Sequence, residues 1–129
     1  MKKCFSTTKA ATPSKTVSQA VIGNGMIFVS GQISICPETK KIKKGDIGFQ
    51  TKMALTNLKI ILEDAGSSLN DILMCNVYIS SMDLFEKMDE VYGQFFANNP
   101  PARATVAVKE LYDDLDVEIT AVALLVSDV

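Results

Sequence analysis

The chain contains no histidine and no tryptophan, a single arginine, and three cysteines set far apart at positions 4, 36 and 75. Each shortage excludes something. Without histidine there is no imidazole base, no Ser-His or Cys-His nucleophile pair, and none of the common histidine-based zinc sites. An odd number of widely spaced cysteines forms neither a disulfide framework nor a CxxC metal or redox pair, so the thiols read as buried or idle. Twelve lysines and one arginine against fifteen acids leave a net charge of −2, which supplies no broad cationic field for nucleic acid or an anionic membrane. No apolar run reaches the roughly 18 residues of a membrane span. The opening MKKCFSTTKAATPSK also lacks the apolar centre of a secretory signal.

A cytoplasmic protein without membrane or nucleic-acid partners is therefore the first expectation. Residues 1–37 carry four lysines and no acid, which leaves an organellar destination as the alternative, although transit peptides favour arginine and this stretch has none. What is present suits one compact domain over residues 1–129, with 47% hydrophobic and 22% charged residues. A chain of this length hides roughly two thirds of the surface its unfolded form exposes, enough for a core without disulfides or structural metal.

Residues 17–22 and 26–30 are short β-rich runs around Gly23-Asn24-Gly25, and an Asn-Gly pair tolerates the positive φ of a tight hairpin. After a polar loop over 36–45, apolar or small residues recur at Ile47, Thr51, Ala54, Leu55, Leu58, Ile61, Leu62 and Ala65, the spacing of one helix face. Asp46 suits the N-cap and Gly66 the stop. A mostly apolar strand follows over 72–79. A second helix then starts near Asp83, which has capping-box spacing to Glu86. Its Phe85, Met88, Tyr92, Phe95 and Phe96 form a core-facing stripe, and Asn98-Asn99-Pro100-Pro101 ends it.

Strands over 102–108 and 117–126 close the chain, separated by the acidic turn Tyr112-Asp113-Asp114-Leu115-Asp116. The order ββαβαββ defines an α+β fold in which two helices cover one face of a sheet of about five strands. The last strand is apolar on both sides, Ile119, Ala121 and Ala123 on one and Val122, Leu124 and Val126 on the other. The open sheet face is thus expected to pack against another subunit.

Arg103 stands directly after Pro100-Pro101-Ala102, and a guanidinium offers a rigid bidentate fork for carboxylates that none of the twelve lysines reproduces. Period-two alternation puts Arg103 and Thr105 on one face of their strand, and Glu118 and Thr120 on one face of the next. If those strands pair, Arg103 and Glu118 become near neighbours; a sheet salt bridge or a loop-pinning arginine accounts for the same residues. Ser30-Gly31-Gln32 ends the second strand, where a glycine admits a ligand close to the backbone or simply makes a turn. Lys40, Lys41, Lys43 and Lys44 read as a solvated loop surface.

These residues resemble the RidA/YjgF family, the reactive intermediate deaminases also described as endoribonuclease L-PSP. The likeness is carried by STTKAA, by VSQAV leading into MIFVSGQI, by VYISSMDLFEKMDEVYGQFF, and by PPARATVAVKEL followed by VEITAVA. It implies a chorismate-mutase-like fold with two helices on one face of a mixed sheet, assembled as a homotrimer with a central barrel and three ligand clefts between subunits. It further implies that Arg103 grips a substrate carboxylate and that Glu118 positions or activates a water. Ser30, Gly31, Thr105, Val17 and Asp89 occupy the remaining substrate-binding positions. No cofactor and no metal are implied.

The implied reaction is hydrolysis of enamines and imines of the 2-aminoacrylate type, released by pyridoxal-phosphate-dependent dehydratases, to 2-keto acids and ammonia. Three positions depart from the family pattern: Val17 replaces a cleft tyrosine, Thr105 a cysteine, and Asp89 a frequent asparagine. The alternative reading is a non-catalytic binder of a small 2-keto or amino acid in the same cleft. A ribonuclease is the third, disfavoured by the missing histidine and the acidic balance.

Overall fold

In a computed structural model, the chain runs through β1 (Lys3–Phe5), β2 (Ala20–Gly23), β3 (Met26–Gln32), α1 (Ile47–Asp64), β4 (Ile72–Ile79), α2 (Phe85–Phe95), β5 (Ala102–Ala107) and β6 (Val117–Leu124). The structure describes residues 1–126, so positions 127–129 of the expected domain lie outside the described residues. The hairpin forms as its Asn-Gly pair requires: Asn24 and Gly25 take φ of 52° and 73°, joining β2 to β3. Asp46 caps α1 by accepting a hydrogen bond from the Phe49 N–H at 2.8 Å. All eight stripe residues of α1, from Ile47 to Ala65, are buried.

The six strands form one sheet in the order β1-β2-β3-β6-β4-β5. All neighbours are antiparallel except β4 and β5, which run parallel because α2 connects them as a crossover. Ile27, Val29, Cys75, Val77, Ile79, Val117, Ile119, Ala121 and Ala123 point to one face and build the core with both helices. On the opposite face Phe28, Val106 and Leu124 remain 43–47% exposed. This is the α+β architecture expected, with one face covered and one open. No helix among the described residues is long and apolar enough to cross a membrane.

Four details correct the sequence reading. β1 is a sixth strand, pairing Lys3–Phe5 with Ala20–Ile22. β2 begins at Ala20 rather than 17, because the Val17 N–H donates to the Ser14 carbonyl and holds a turn there. The Asp83/Glu86 capping box is absent: a short 3₁₀ turn, Met82–Leu84, precedes α2, and the Ser81 hydroxyl takes the Asp83 N–H at 3.1 Å. Finally, β5 does not pair with β6, since β4 lies between them.

One buried amide ties the elements that flank the site. Asn57 on α1 is fully buried; its Oδ1 accepts from the Ala11 N–H at 3.1 Å and its Nδ2 donates to the Ile35 carbonyl at 2.7 Å. Asn57→Leu keeps a comparable volume but orphans both backbone groups. At about 1–3 kcal/mol per buried unsatisfied group, a loss of about 2–5 kcal/mol is expected. Urea unfolding should show it as a lower midpoint with an unchanged slope.

Candidate functional site

Arg103 leaves β5 toward the helices. Its partner in the parallel ladder is the fully buried Cys75, and its guanidinium carbon lies 4.6 Å from the centre of the Tyr92 ring and 5.6 Å from that of Phe85. Nη1 donates to Asp89 Oδ1 at 2.6 Å. Phe85, Asp89 and Tyr92 stand at helix spacings of four and three, so one face of α2 supplies both the carboxylate and the rings. Cation–π contact of this kind contributes about 0.5–2 kcal/mol and fixes the plane of the guanidinium. Among the described residues Nη1 is bonded to Asp89, and the side chain is 20% exposed, so part of the fork faces a ligand's approach.

Beside it, the Thr105 hydroxyl is buried without a hydrogen-bond partner among the described residues, and the Tyr92 phenol is buried next to the Cys75 thiol and the Arg103 guanidinium. Burial pushes the Tyr92 phenol well above its ordinary range and raises the Cys75 thiol as well, so both stay protonated at neutral pH. This recess therefore offers a cation and neutral donors, which suits an anionic group.

Glu118 lies on the other face. It lines an open cleft of about 540 Å³ together with Val17, Ser30, Gly31 and Tyr112. The β3–β6 register shifts between Val29 and Gln32, which lifts Ser30 and Gly31 out of the regular ladder. A Cβ on Gly31 would stand 2.7 Å from Glu118 Cδ, so only glycine lets the carboxylate lie against this backbone. The Ser30 hydroxyl donates to the Ser18 carbonyl at 2.6 Å and fixes the cleft wall. Burial raises the pKa of Glu118 by penalising its ionised form.

The structure thus sorts the expected site residues into two groups. Arg103, Thr105 and Asp89 meet at β5 and α2; Glu118, Ser30, Gly31 and Val17 meet at the open-face cleft. The expected proximity of Arg103 and Glu118 within one chain is corrected, since β4 separates their strands and they point to opposite faces. Val17 is on a turn, half-exposed, and contributes only an apolar wall. The sequence reading missed Phe85 and Tyr92 as the stacking partners of Arg103, assigning them wholly to the core. Their shared helix face with Asp89 was the available signal. Among the described residues, no group of three or more Cys, Asp or Glu is placed to hold a metal ion.

The chain belongs to the RidA/YjgF family: the family described as Endoribonuclease L-PSP matches over residues 7–125. It is 46% identical over 122 residues to a RutC family protein of Pyrococcus abyssi, covering 95% of this chain and 96% of that one. TdcF of Escherichia coli K12, provisionally assigned as a reactive intermediate deaminase, is 37% identical over 127 residues, covering 96% and 98%. The crystal structure of E. coli TdcF with bound serine superposes with a TM-score of 0.88 at 36% identity, covering 95% of this chain and 98% of that one. That of yeast Mmf1 gives 0.92 at 32% identity, covering 96% and 98%.

The partly buried Glu118 carboxyl has a measurable consequence. Burial raises its folded-state pKa above the unfolded value, so its contribution to stability is full below the unfolded pKa and is lost as pH rises through the folded one. Glu118→Gln keeps the shape and removes the charge. The variant should therefore melt above the wild type at neutral pH, and the difference should vanish toward about pH 3, below the ordinary carboxylate range. Thermal unfolding of both proteins between about pH 3 and pH 8 checks this.

Proposed function

We propose that the protein hydrolyses short-lived 2-imino and 2-enamino acids to 2-keto acids and ammonia, in a site completed between copies of the chain. The observation that carries the reading is Arg103: the only guanidinium of the chain, held flat by Tyr92 and Asp89 with part of its fork facing a ligand's approach. Such a fork selects a small carboxylate. Because Glu118 faces the other side of the sheet, one small ligand meets both groups only where the Arg103 recess of one copy adjoins the Glu118 cleft of another. The exposed Phe28, Val106 and Leu124 of the open face support such an assembly, and a closed homotrimer around a central barrel is the arrangement we infer.

In the proposed reaction an enamine first tautomerises to the imine. Arg103 holds the carboxylate while Glu118 accepts a proton from water. The water oxygen bonds to the C=N carbon, and the π pair moves to nitrogen. That proton passes to nitrogen to give a carbinolamine. Its hydroxyl then yields its proton to Glu118, which returns it to nitrogen, and as the C=O bond forms the C–N bond breaks and the 2-keto acid and ammonia leave. Orientation lowers the barrier without a cofactor, and a positioned base is worth about 10²–10⁴-fold. Burial of Glu118 aids the second effect by moving its pKa toward the working pH. The reactive substrate would be supplied by pyridoxal-phosphate-dependent dehydratases in the same compartment, which we take to be the cytoplasm.

Asp89 competes with a substrate carboxylate for the Arg103 fork, which weakens ligand binding under the hydrolysis reading and under the competing one, a binder without turnover. At about 1 kcal/mol for unit charges 4 Å apart in water, Asp89→Asn should tighten binding of pyruvate or 2-ketobutyrate by about three- to tenfold in calorimetry.

A dehydratase generating 2-aminoacrylate, with imine decay followed with and without the protein, tests the hydrolysis itself. Arg103→Lys should abolish keto-acid binding, and Glu118→Gln should retain binding but slow hydrolysis by about tenfold or more. Light scattering should give about three times the 14.0 kDa chain mass. Ligand binding without accelerated imine decay would leave the binder, and a monomer at micromolar concentration would remove the shared site.

A further inference from the structure

Tyr112 is the only aromatic side chain lining the Glu118 cleft. It opens the acidic turn between β5 and β6, and its side chain is 71% exposed at the rim of the cleft. The backbone that presents it is firmly fixed. Lys44 bonds the Asp113 carbonyl and pairs with its carboxylate at 3.5 Å. Asp116, at the far end of the turn, donates its N–H to Gln50 at 2.8 Å and accepts from the Ser80 hydroxyl at 2.6 Å. Between these anchors Asp113 and Asp114 take φ of 54° and 59°, two consecutive non-glycine residues in the left-handed region. Such a conformation persists only where the surroundings enforce it, and it concentrates at functional positions.

A count of donors points the same way. Ser30 donates to the Ser18 carbonyl, Gln19 to the Thr7 and Ala11 carbonyls, Gln32 to the Ser30 carbonyl at 3.0 Å, and Lys40 to the Pro37 carbonyl at 2.6 Å. Glu118, when ionised, only accepts. Among the described residues the Tyr112 phenol and the Thr12 hydroxyl are the lining donors with no hydrogen bond, and of the two only the phenol sits on an aromatic ring.

We propose that Tyr112 is a further catalytic residue of this site, its phenol donating a hydrogen bond to the imine nitrogen as water adds. The inference rests on the hydrolysis reading above. The Tyr112 O–H bond stays intact throughout: the π pair of the C=N bond moves to nitrogen, the phenol hydrogen bond stabilises that gathering charge, and the proton nitrogen acquires comes from the water by way of Glu118. A donor aimed where charge develops strengthens in the transition state, so it acts on turnover more than on affinity.

Tyr112→Phe removes one oxygen from an exposed ring and should leave the melting temperature unchanged. In the 2-aminoacrylate assay we expect kcat to fall by about tenfold or more with KM within about threefold. Pyruvate should produce a near-ultraviolet tyrosine difference spectrum in the wild type that is reduced in Tyr112→Phe, with the remainder coming from Tyr92 beside Arg103; an unchanged spectrum overturns the contact of Tyr112 with the ligand. If Tyr112→Phe turns over like the wild type while Glu118→Gln is slowed, the role of Tyr112 is overturned and the hydrolysis reading stands. A wild type that does not accelerate imine decay overturns both.

Discussion

The two-residue period of a sheet with helices on only one face governs everything in this molecule. β4 is flanked by β5 and β6, and its ladder partners fix the geometry: Cys75 stands opposite both Arg103 and Ala121, and Tyr78 opposite both Val106 and Glu118. Cys75 and Tyr78 are three residues apart, an odd step, so the side chains in those two rows leave opposite faces. Arg103 is thereby sent under α2, where a carboxylate and two rings receive it. Glu118 is sent to the face that no helix covers. No rotamer change reverses that parity, and this is why the proposed chemistry requires a second copy of the chain.

The same division sets the electrostatics. Arg103 loses water but gains Asp89 and the face of Tyr92, so its charge is compensated at the point where it is buried. Glu118 is partly buried and its pKa rises. Asp89 fixes the position of the guanidinium and at the same time competes with any anionic ligand for it. A partly buried carboxylate is a better proton acceptor than an exposed one, at a cost in stability that Gly31, by admitting the carboxyl against its backbone, keeps in place.

Much of this was legible in the sequence, and the failures share one cause. The Asn24-Gly25 turn, the apolar stripe of α1 with its Asp46 cap, and the singular Arg103 are local signals, and each does what its chemistry predicts. β1 is three residues long with exposed Lys3 and Cys4, and nothing but its pairing with β2 makes it a strand. The β5–β6 contact was inferred from closeness along the chain, whereas the α2 crossover makes β5 parallel to β4 and inserts β4 between them. α2 begins at Phe85 rather than near Asp83 because a 3₁₀ turn over Met82–Leu84, capped by the Ser81 hydroxyl, occupies the residues before it. Non-local pairings and competition between neighbouring caps are the terms a residue pattern does not contain.

The polar groups left unsatisfied lie in the candidate site, and they are read there from the structure alone, without any resemblance. In the core the buried side chains of Gln19, Ser34, Gln50, Thr51 and Asn57 each hold a hydrogen bond of 2.7 to 3.1 Å to a backbone carbonyl or N–H. Among the described residues, the Thr105 hydroxyl beside Arg103 has no partner and Glu118 is partly buried with a raised pKa. The two consecutive left-handed aspartates adjoin that same cleft. A fold that satisfies its structural polar groups so completely has no stability reason to leave these. A buried hydroxyl without a partner, a carboxylate with a raised pKa and a turn in an unfavourable conformation each lower stability, and their confinement to two recesses is what a ligand site requires and a purely structural module does not.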